Sequence, residues 1–197
     1  MRYLVRHAHA GSQKRWRGPD QLRPLSALGD RQAVGLLARL GGYPVTRILS
    51  SPTARCHQTV VPLSQERAVP IEVVAALDVD APVEGLLELM ADPSMETTIL
   101  CGHGGQIVGA LRLLSGGAAS GGQLSRQKGS TWEVDQDGGD LRAVRYLPPL
   151  QLKRWAAGPN PATRSEPGFP SLVNPGRGRA VGGGPARYRH RRARPHR

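Results

Sequence analysis

Apolar positions along the chain alternate between two periods, and the alternation itself predicts the fold. Residues 2–6, RYLVR, read as a short strand that runs into Arg6-His7 and then a polar loop reaching Pro24. Ser26 is placed to cap a helix whose apolar positions Leu28, Val34, Leu37, Ala38 and Leu40 recur at helical spacing, with Gly41-Gly42 as its stop. Thr46 to Leu49 is a second strand, broken by Ser50-Ser51-Pro52. Pro52 suits the start of a helix carrying Arg55, Val60, Val61 and Leu63, and Pro62 within it implies a kink or an early stop. A third strand at 71–74, a helix from Val83 to Met90 and a fourth strand from Thr97 to Cys101 follow. Gly102-His103-Gly104-Gly105 then leads into a helix from Gln106 to Leu114. Ser130 to Val134 and Leu141 to Tyr146, separated by Asp137-Gly138-Gly139-Asp140, have the form of a hairpin. Strands alternating with helices predict an α/β fold: three layers, α/β/α, with a mostly parallel sheet and the C-terminal hairpin at or near an edge.

Charge divides the chain into two parts. The 197 residues carry 27 Lys plus Arg against 15 Asp plus Glu, a formal charge of +12. Eleven of those basic side chains and a single acid, Glu166, lie in residues 148–197, which leaves only +2 on residues 1–147. A basic fold that offered one charged face to nucleic acid would carry its excess inside the folded part, so the high pI does not by itself point there. The Pro-, Gly- and Arg-rich composition of 148–197 predicts a disordered tail, and 1–147 has the size of one domain. Cys56 and Cys101 are too few for a disulfide framework and read as reduced, mostly buried thiols. No apolar run approaches a membrane span and no signal-peptide core follows Met1, so the expected location is cytoplasmic, with no membrane contact.

Ligands of open α/β sheets bind beyond the carboxyl ends of the strands. That rule gathers His7 after the first strand, His103 after the fourth and Arg55 after the second, with Arg6 adjoining and His9 close by. Two imidazoles, two guanidinium groups and glycine-flanked helix starts suit a dianionic oxyanion, and phosphate fits best. A neutral imidazole can attack phosphorus in line while the cations stabilise the equatorial oxygens. An acid for the leaving group must come from the loop after the third strand, where Asp78 and Asp80 are placed to reach the same edge.

The segments LVRHAHAG, RPLSALGDRQA, SSPTARCHQT, ILCGHGG and KGSTW, in that order and each at a strand or helix boundary, resemble the histidine phosphatase (phosphoglycerate mutase-like) superfamily over residues 2–146. The resemblance implies that His7 is the phosphorylated nucleophile, that Arg6 and Arg55 grip the phosphoryl oxygens and that His103 completes the pocket, with no metal or organic cofactor. Two positions depart from the family pattern. Ala8 replaces the usual glycine, and the acid of the family's Leu-x-Glu falls on Val79. The acid role then passes to Asp80, with Asp78 as the alternative, or the enzyme favours good leaving groups. Short loops at Gly11–Pro24 and Val74–Pro82 resemble the compact SixA-like branch, and several segments also look like the phosphatase domain fused to Nudix domains in actinobacteria, although no Nudix box occurs here. The implied substrates are a phosphomonoester, a nucleotide phosphate or a phosphohistidine on a protein partner.

Blander readings attach to several residues. His9 with His7, His57 and His103 suggests a zinc site, but the two arginines would repel a cation. Cys101 beside His103 suggests a thiol nucleophile, yet it ends an apolar strand and reads as core. Lys14 and Arg15 are equally phosphate contacts or solvated loop residues. The segment Arg177–Arg197 has the charge for weak nucleic-acid contact. The alternative to an enzyme is a non-catalytic phosphate-binding module whose basic tail binds nucleic acid.

Overall fold

The computed structural model describes residues 1–116, 127–137 and 139–150. The basic extension expected to be disordered lies, from residue 151 onward, outside the described residues.

The elements are β1 (Arg2–Arg6), α1 (Ala27–Leu40), β2 (Arg47–Ser50), α2 (Ala54–Arg67), β3 (Ile71–Val73), α3 (Val83–Ala91), β4 (Thr98–Gly102), α4 (Gly104–Leu114), β5 (Thr131–Asp137) and β6 (Asp140–Leu147). The six strands form one sheet in the order β3-β2-β4-β1-β5-β6. The four β-α strands are mutually parallel, while β5 runs antiparallel to β1 and pairs with β6, so the hairpin forms one edge. Period-2 alternation sorts the strand residues onto two faces. Tyr3, Val5, Ile48, Ile99 and Cys101 pack with Leu36 and Leu40 of α1 and with Cys56, Val60 and Leu63 of α2. Leu4, Leu49, Leu100 and Val134 pack with Leu86 and Met90 of α3 and with Ile107 and Leu111 of α4. Helices therefore cover both faces, as the alternation predicted. β1 and β4 lie at the centre with both faces buried, which fixes the strand ends that carry His7 and His103.

Local signals act where expected, with one exception. The Ser26 hydroxyl accepts from the Gly29 amide at 3.3 Å and starts α1. Pro62 neither stops nor shortens α2, which continues to Arg67 and ends at Ala68 in the left-handed conformation. An interior proline costs about 3 kcal/mol, but Val60 and Leu63 flank it fully buried, and each such side chain contributes about 1.5–3 kcal/mol. Packing outweighs the local penalty. Among the described residues no helix is long and apolar enough to cross a membrane.

Candidate phosphoryl site

The parallel strands β1, β4 and β2 end side by side, and the residues immediately following them meet. The His7 and His103 rings lie 5.3 Å apart, centroid to centroid, with their planes at 62°. Both are nearly buried, at 6% and 5% exposure, and Arg55 in the first turn of α2 is 2% exposed. His7 Nδ1 lies 2.7 Å from the Ala8 carbonyl oxygen. A carbonyl only accepts, so the neutral ring carries its proton on Nδ1 and keeps the lone pair on Nε2. Burial pushes the His7 pKa down to about 3, opposed by the bond to Ala8 and reinforced by His103, Arg55 and Arg6. His7 is thus an uncharged imidazole throughout the neutral range.

His103 is oriented from the end of β2. Its Nε2 lies 3.0 Å from Ser51 Oγ, 3.5 Å from Thr53 Oγ1 and 3.6 Å from Cys56 Sγ. Ser51 Oγ in turn lies 3.4 Å from Asp78 Oδ1. One serine hydroxyl can accept from the imidazole and donate to the carboxylate, which makes His103–Ser51–Asp78 a continuous chain. His103 is also the N-cap of α4 and has no side-chain cap bond. Gly104 follows because the Arg6 side chain needs its space: a Cβ at Gly104 would stand 2.6 Å from Arg6 Nε and 2.8 Å from Cζ.

Three residues in the site were not singled out by the sequence. Arg55 Nη1 donates to the Asp20 carbonyl oxygen at 2.7 Å and lies 3.1 Å from Asp20 Oδ2. Arg23 Nε donates to Asp20 Oδ1 at 2.7 Å, and Arg23 Nη1 donates to the Ala10 carbonyl at 2.7 Å. The hydrogen bond from Arg23, with the nearby Arg55 and His103, lowers the Asp20 pKa. Lys128 arrives from the KGSTW segment, because the Gly129 amide donates to the carbonyls of Arg6 and His7 at 3.1 Å each. Gly129 takes a φ of +78°, a backbone conformation natural to glycine. Burial lowers the Lys128 pKa, and Arg6, Arg23 and Arg55 lower it further. The available sequence signals were the Asp20-x-x-Arg23 spacing within a helical turn and the KGSTW segment that Lys128 opens; the approach of Lys128 itself depends on the β5 pairing.

The remaining candidates separate. Asp78 enters the hydrogen-bond chain, whereas Asp80 is exposed two residues further along the turn and Val79 between them is also exposed. His9 is bound into the start of α1: its Nδ1 lies 2.7 Å from Ser26 Oγ, its amide donates to Gln32 Oε1 at 2.8 Å and its carbonyl accepts from Ser26 N. Gly29 makes that docking possible, since a Cβ there would meet the His9 carbonyl oxygen at 2.1 Å. Cys101 is fully buried and its thiol lies 3.4 Å from the Cys56 carbonyl. Among the described residues no three His, Cys, Asp or Glu side chains converge as a metal site, the set His7, His9, His57 and His103 included. Lys14 and Arg15 are exposed. Taken together, Arg6 and Arg55 lie near a neutral imidazole, with Arg23, Lys128 and the Asp20 carboxylate close to those guanidinium groups, an arrangement suited to bind an oxyanion and to stabilise charge as it develops on one.

Comparison with known proteins agrees with this chemistry. Residues 2–79 match the model of the histidine phosphatase superfamily (branch 1). The chain is 32% identical over 158 residues to an 8-oxo-(d)GTP phosphatase of Mycolicibacterium smegmatis; the match covers 76% of the chain but 48% of that relative, so the chain spans about half of its length. A solved structure assigned as the phosphohistidine phosphatase SixA of Agrobacterium tumefaciens is 27% identical, with a TM-score of 0.61 over 75% of this chain and 97% of that one. The protein histidine phosphatase SixA in complex with tungstate shares the fold at 19% identity, with a TM-score of 0.62 over 75% and 96% of the two chains.

Proposed function

Because the chain belongs to the histidine phosphatase superfamily, we propose that it is a phosphatase acting through a covalent phosphohistidine at His7. The observation that carries this reading is the 2.7 Å bond from His7 Nδ1 to the Ala8 carbonyl, which keeps the Nε2 lone pair available near the Arg6 and Arg55 guanidinium groups. Nε2 attacks phosphorus as the bond to the leaving atom breaks, an oxygen in an ester or anhydride and a ring nitrogen in phosphohistidine. Arg6, Arg55 and His103 stabilise the equatorial oxygens. The leaving atom takes a proton from the carboxyl-bearing turn after β3, where Asp78 is hydrogen-bonded to Ser51 and Asp80 is exposed. Water then cleaves the P–N bond, releasing phosphate and restoring the neutral imidazole. No step in this scheme calls on a metal or organic cofactor, and its groups all fall within residues 1–147. Phosphomonoesters, nucleotide phosphates and phosphohistidine on a protein partner are the substrate classes; similarity to an 8-oxo-(d)GTP phosphatase supports the nucleotides and likeness to the Agrobacterium SixA supports phosphohistidine.

Metal-free turnover of an aryl phosphate by the wild type and by His7→Ala tests the mechanism, with early-quenched reactions analysed for protein-bound phosphate. Turnover and an acid-labile, base-stable adduct, both lost in His7→Ala, are expected. Absence of turnover and adduct in the wild type overturns the reading in favour of a module that binds phosphate without hydrolysing it.

A further inference from the structure

Beside the phosphoryl site, the loop after β1 forms a cleft of about 240 Å³ lined by Ala10, Gly11, Arg15, Trp16, Arg23 and Pro24 among others. It adjoins the site through shared residues. Arg23 lines the cleft while binding Asp20, the residue that holds Arg55, and Ala10 lies three positions after His7.

Trp16 is the unusual feature of this cleft. A tryptophan on a short polar loop would ordinarily turn inward, yet this one is 36% exposed. It is also fixed in place. Its indole N–H donates to the Pro19 carbonyl at 3.0 Å, and Gly18 packs so tightly against the ring that a Cβ there would stand 3.2 Å from Cζ2. A ring held by its one polar atom, supported by the neighbouring backbone and open toward an apolar cleft is a stacking platform.

The charge next to it exceeds what a single phosphoryl group needs. Arg6, Arg23, Arg55 and Lys128 approach one another closely enough for the three arginines to depress the Lys128 pKa, and Arg15 adds a cation in the cleft wall. Among the described residues, Asp20 is the carboxylate that pairs with Arg23 and Arg55. A phosphomonoester brings at most two negative charges, whereas a nucleoside di- or triphosphate brings three or four.

We propose that the cleft is a nucleobase subsite: the substrate is a nucleoside polyphosphate whose terminal phosphoryl group meets His7, whose remaining phosphates lie among Arg23, Arg55 and Lys128, and whose base stacks on Trp16. The proposal rests on the phosphatase reading above and adds the substrate class to it. Stacking on an aromatic side chain tolerates any base, so the platform selects for a nucleotide rather than for one sequence letter.

The test compares guanosine triphosphate with tripolyphosphate, which has the same phosphate chain but no base, for the wild type, Trp16→Ala and Trp16→Phe. The ratio of KM for guanosine triphosphate to KM for tripolyphosphate is expected to rise about ten-fold in Trp16→Ala and to stay near the wild-type value in Trp16→Phe. Equal changes in both KM values, or a ratio unmoved by Trp16→Ala, overturn the base subsite while leaving the phosphatase reading intact. So does a larger Trp16→Ala effect on a phosphohistidine peptide than on guanosine triphosphate, which would give the cleft to a protein substrate. A wild type that hydrolyses an aryl phosphate but turns over neither compound overturns the nucleotide substrate and leaves the phosphatase reading intact; one that turns over none of the three defeats that reading as well. Calorimetric titration of the same ligands then decides the subsite through the same ratio taken on Kd.

Discussion

Asp20 holds Arg55 twice, through its carbonyl oxygen at 2.7 Å and its carboxylate at 3.1 Å from the same guanidinium nitrogen. The carbonyl bond orients Arg55, while the carboxylate places a negative charge where an incoming dianion must bind. Asp20→Asn keeps the backbone contact and removes the charge. Inhibition by orthovanadate is expected to become roughly three- to ten-fold tighter, given the distance and the partial exposure of the group. Weaker inhibition would mean that the carboxylate is needed to position Arg55.

At the other guanidinium, space is the controlling factor. Gly104→Ala places a methyl 2.6 Å from Arg6 Nε, and the flexible end of Arg6 can yield more easily than backbone. Overpacking costs about 1–3 kcal/mol, offset by up to about 1 kcal/mol because alanine is the better helix former, and turnover should fall about 10- to 100-fold because the guanidinium is displaced. Urea unfolding beside steady-state kinetics separates the two effects; a large stability loss with unchanged turnover would show that Arg6 does not act at the site.

The buried state of His7 has consequences at acid pH. Its folded pKa of about 3 lies below the ordinary histidine value of 6.5, so between those values the unfolded chain binds the extra proton. Stability is therefore lost as pH falls from 6.5 toward 3, by up to about 1.4 kcal/mol per pH unit from this group. His7→Gln should flatten that slope in pH-dependent denaturation. In the wild type, nitrogen NMR should find the His7 ring neutral, with the proton on Nδ1, from pH 5 to 8. A midpoint near 6.5 would contradict the burial argument.

Leaving groups distinguish the two aspartates. Asp78 is joined through Ser51 to His103, and Asp80 is exposed. If Asp78 donates the proton, Asp78→Asn should slow an alkyl phosphate about 100-fold while sparing an activated aryl phosphate, and Asp80→Asn should alter both little. The reverse pattern would assign the acid to Asp80, and equal effects on both substrates would deny either residue that role.

Much of this was legible along the chain because it depends on local periodicity. Alternating strands bury Tyr3 and Val5 against one helical layer and Leu4 against the other, and the three-layer fold follows from that pattern. The convergence of His7, Arg55 and His103 was legible because strand ends in a parallel sheet share one edge. The early stop at Pro62 does not occur for the opposite reason: the proline's cost is local, but the burial of Val60 and Leu63 that offsets it comes from residues far away in sequence.

The sequence by itself determined the layers, the strand that carries the imidazole and the sign of the charge around it, since backbone propensity and side-chain chemistry are properties of short segments. Tertiary structure alone decided which nitrogen of His7 keeps its lone pair, that Asp20 and Lys128 join the site, that Asp78 rather than Asp80 reaches Ser51, and that His9 serves the cap of α1. Each of these depends on a contact a few ångströms long between segments distant along the chain. Hydrogen bonds and desolvation are set by such distances, and periodicity does not encode them.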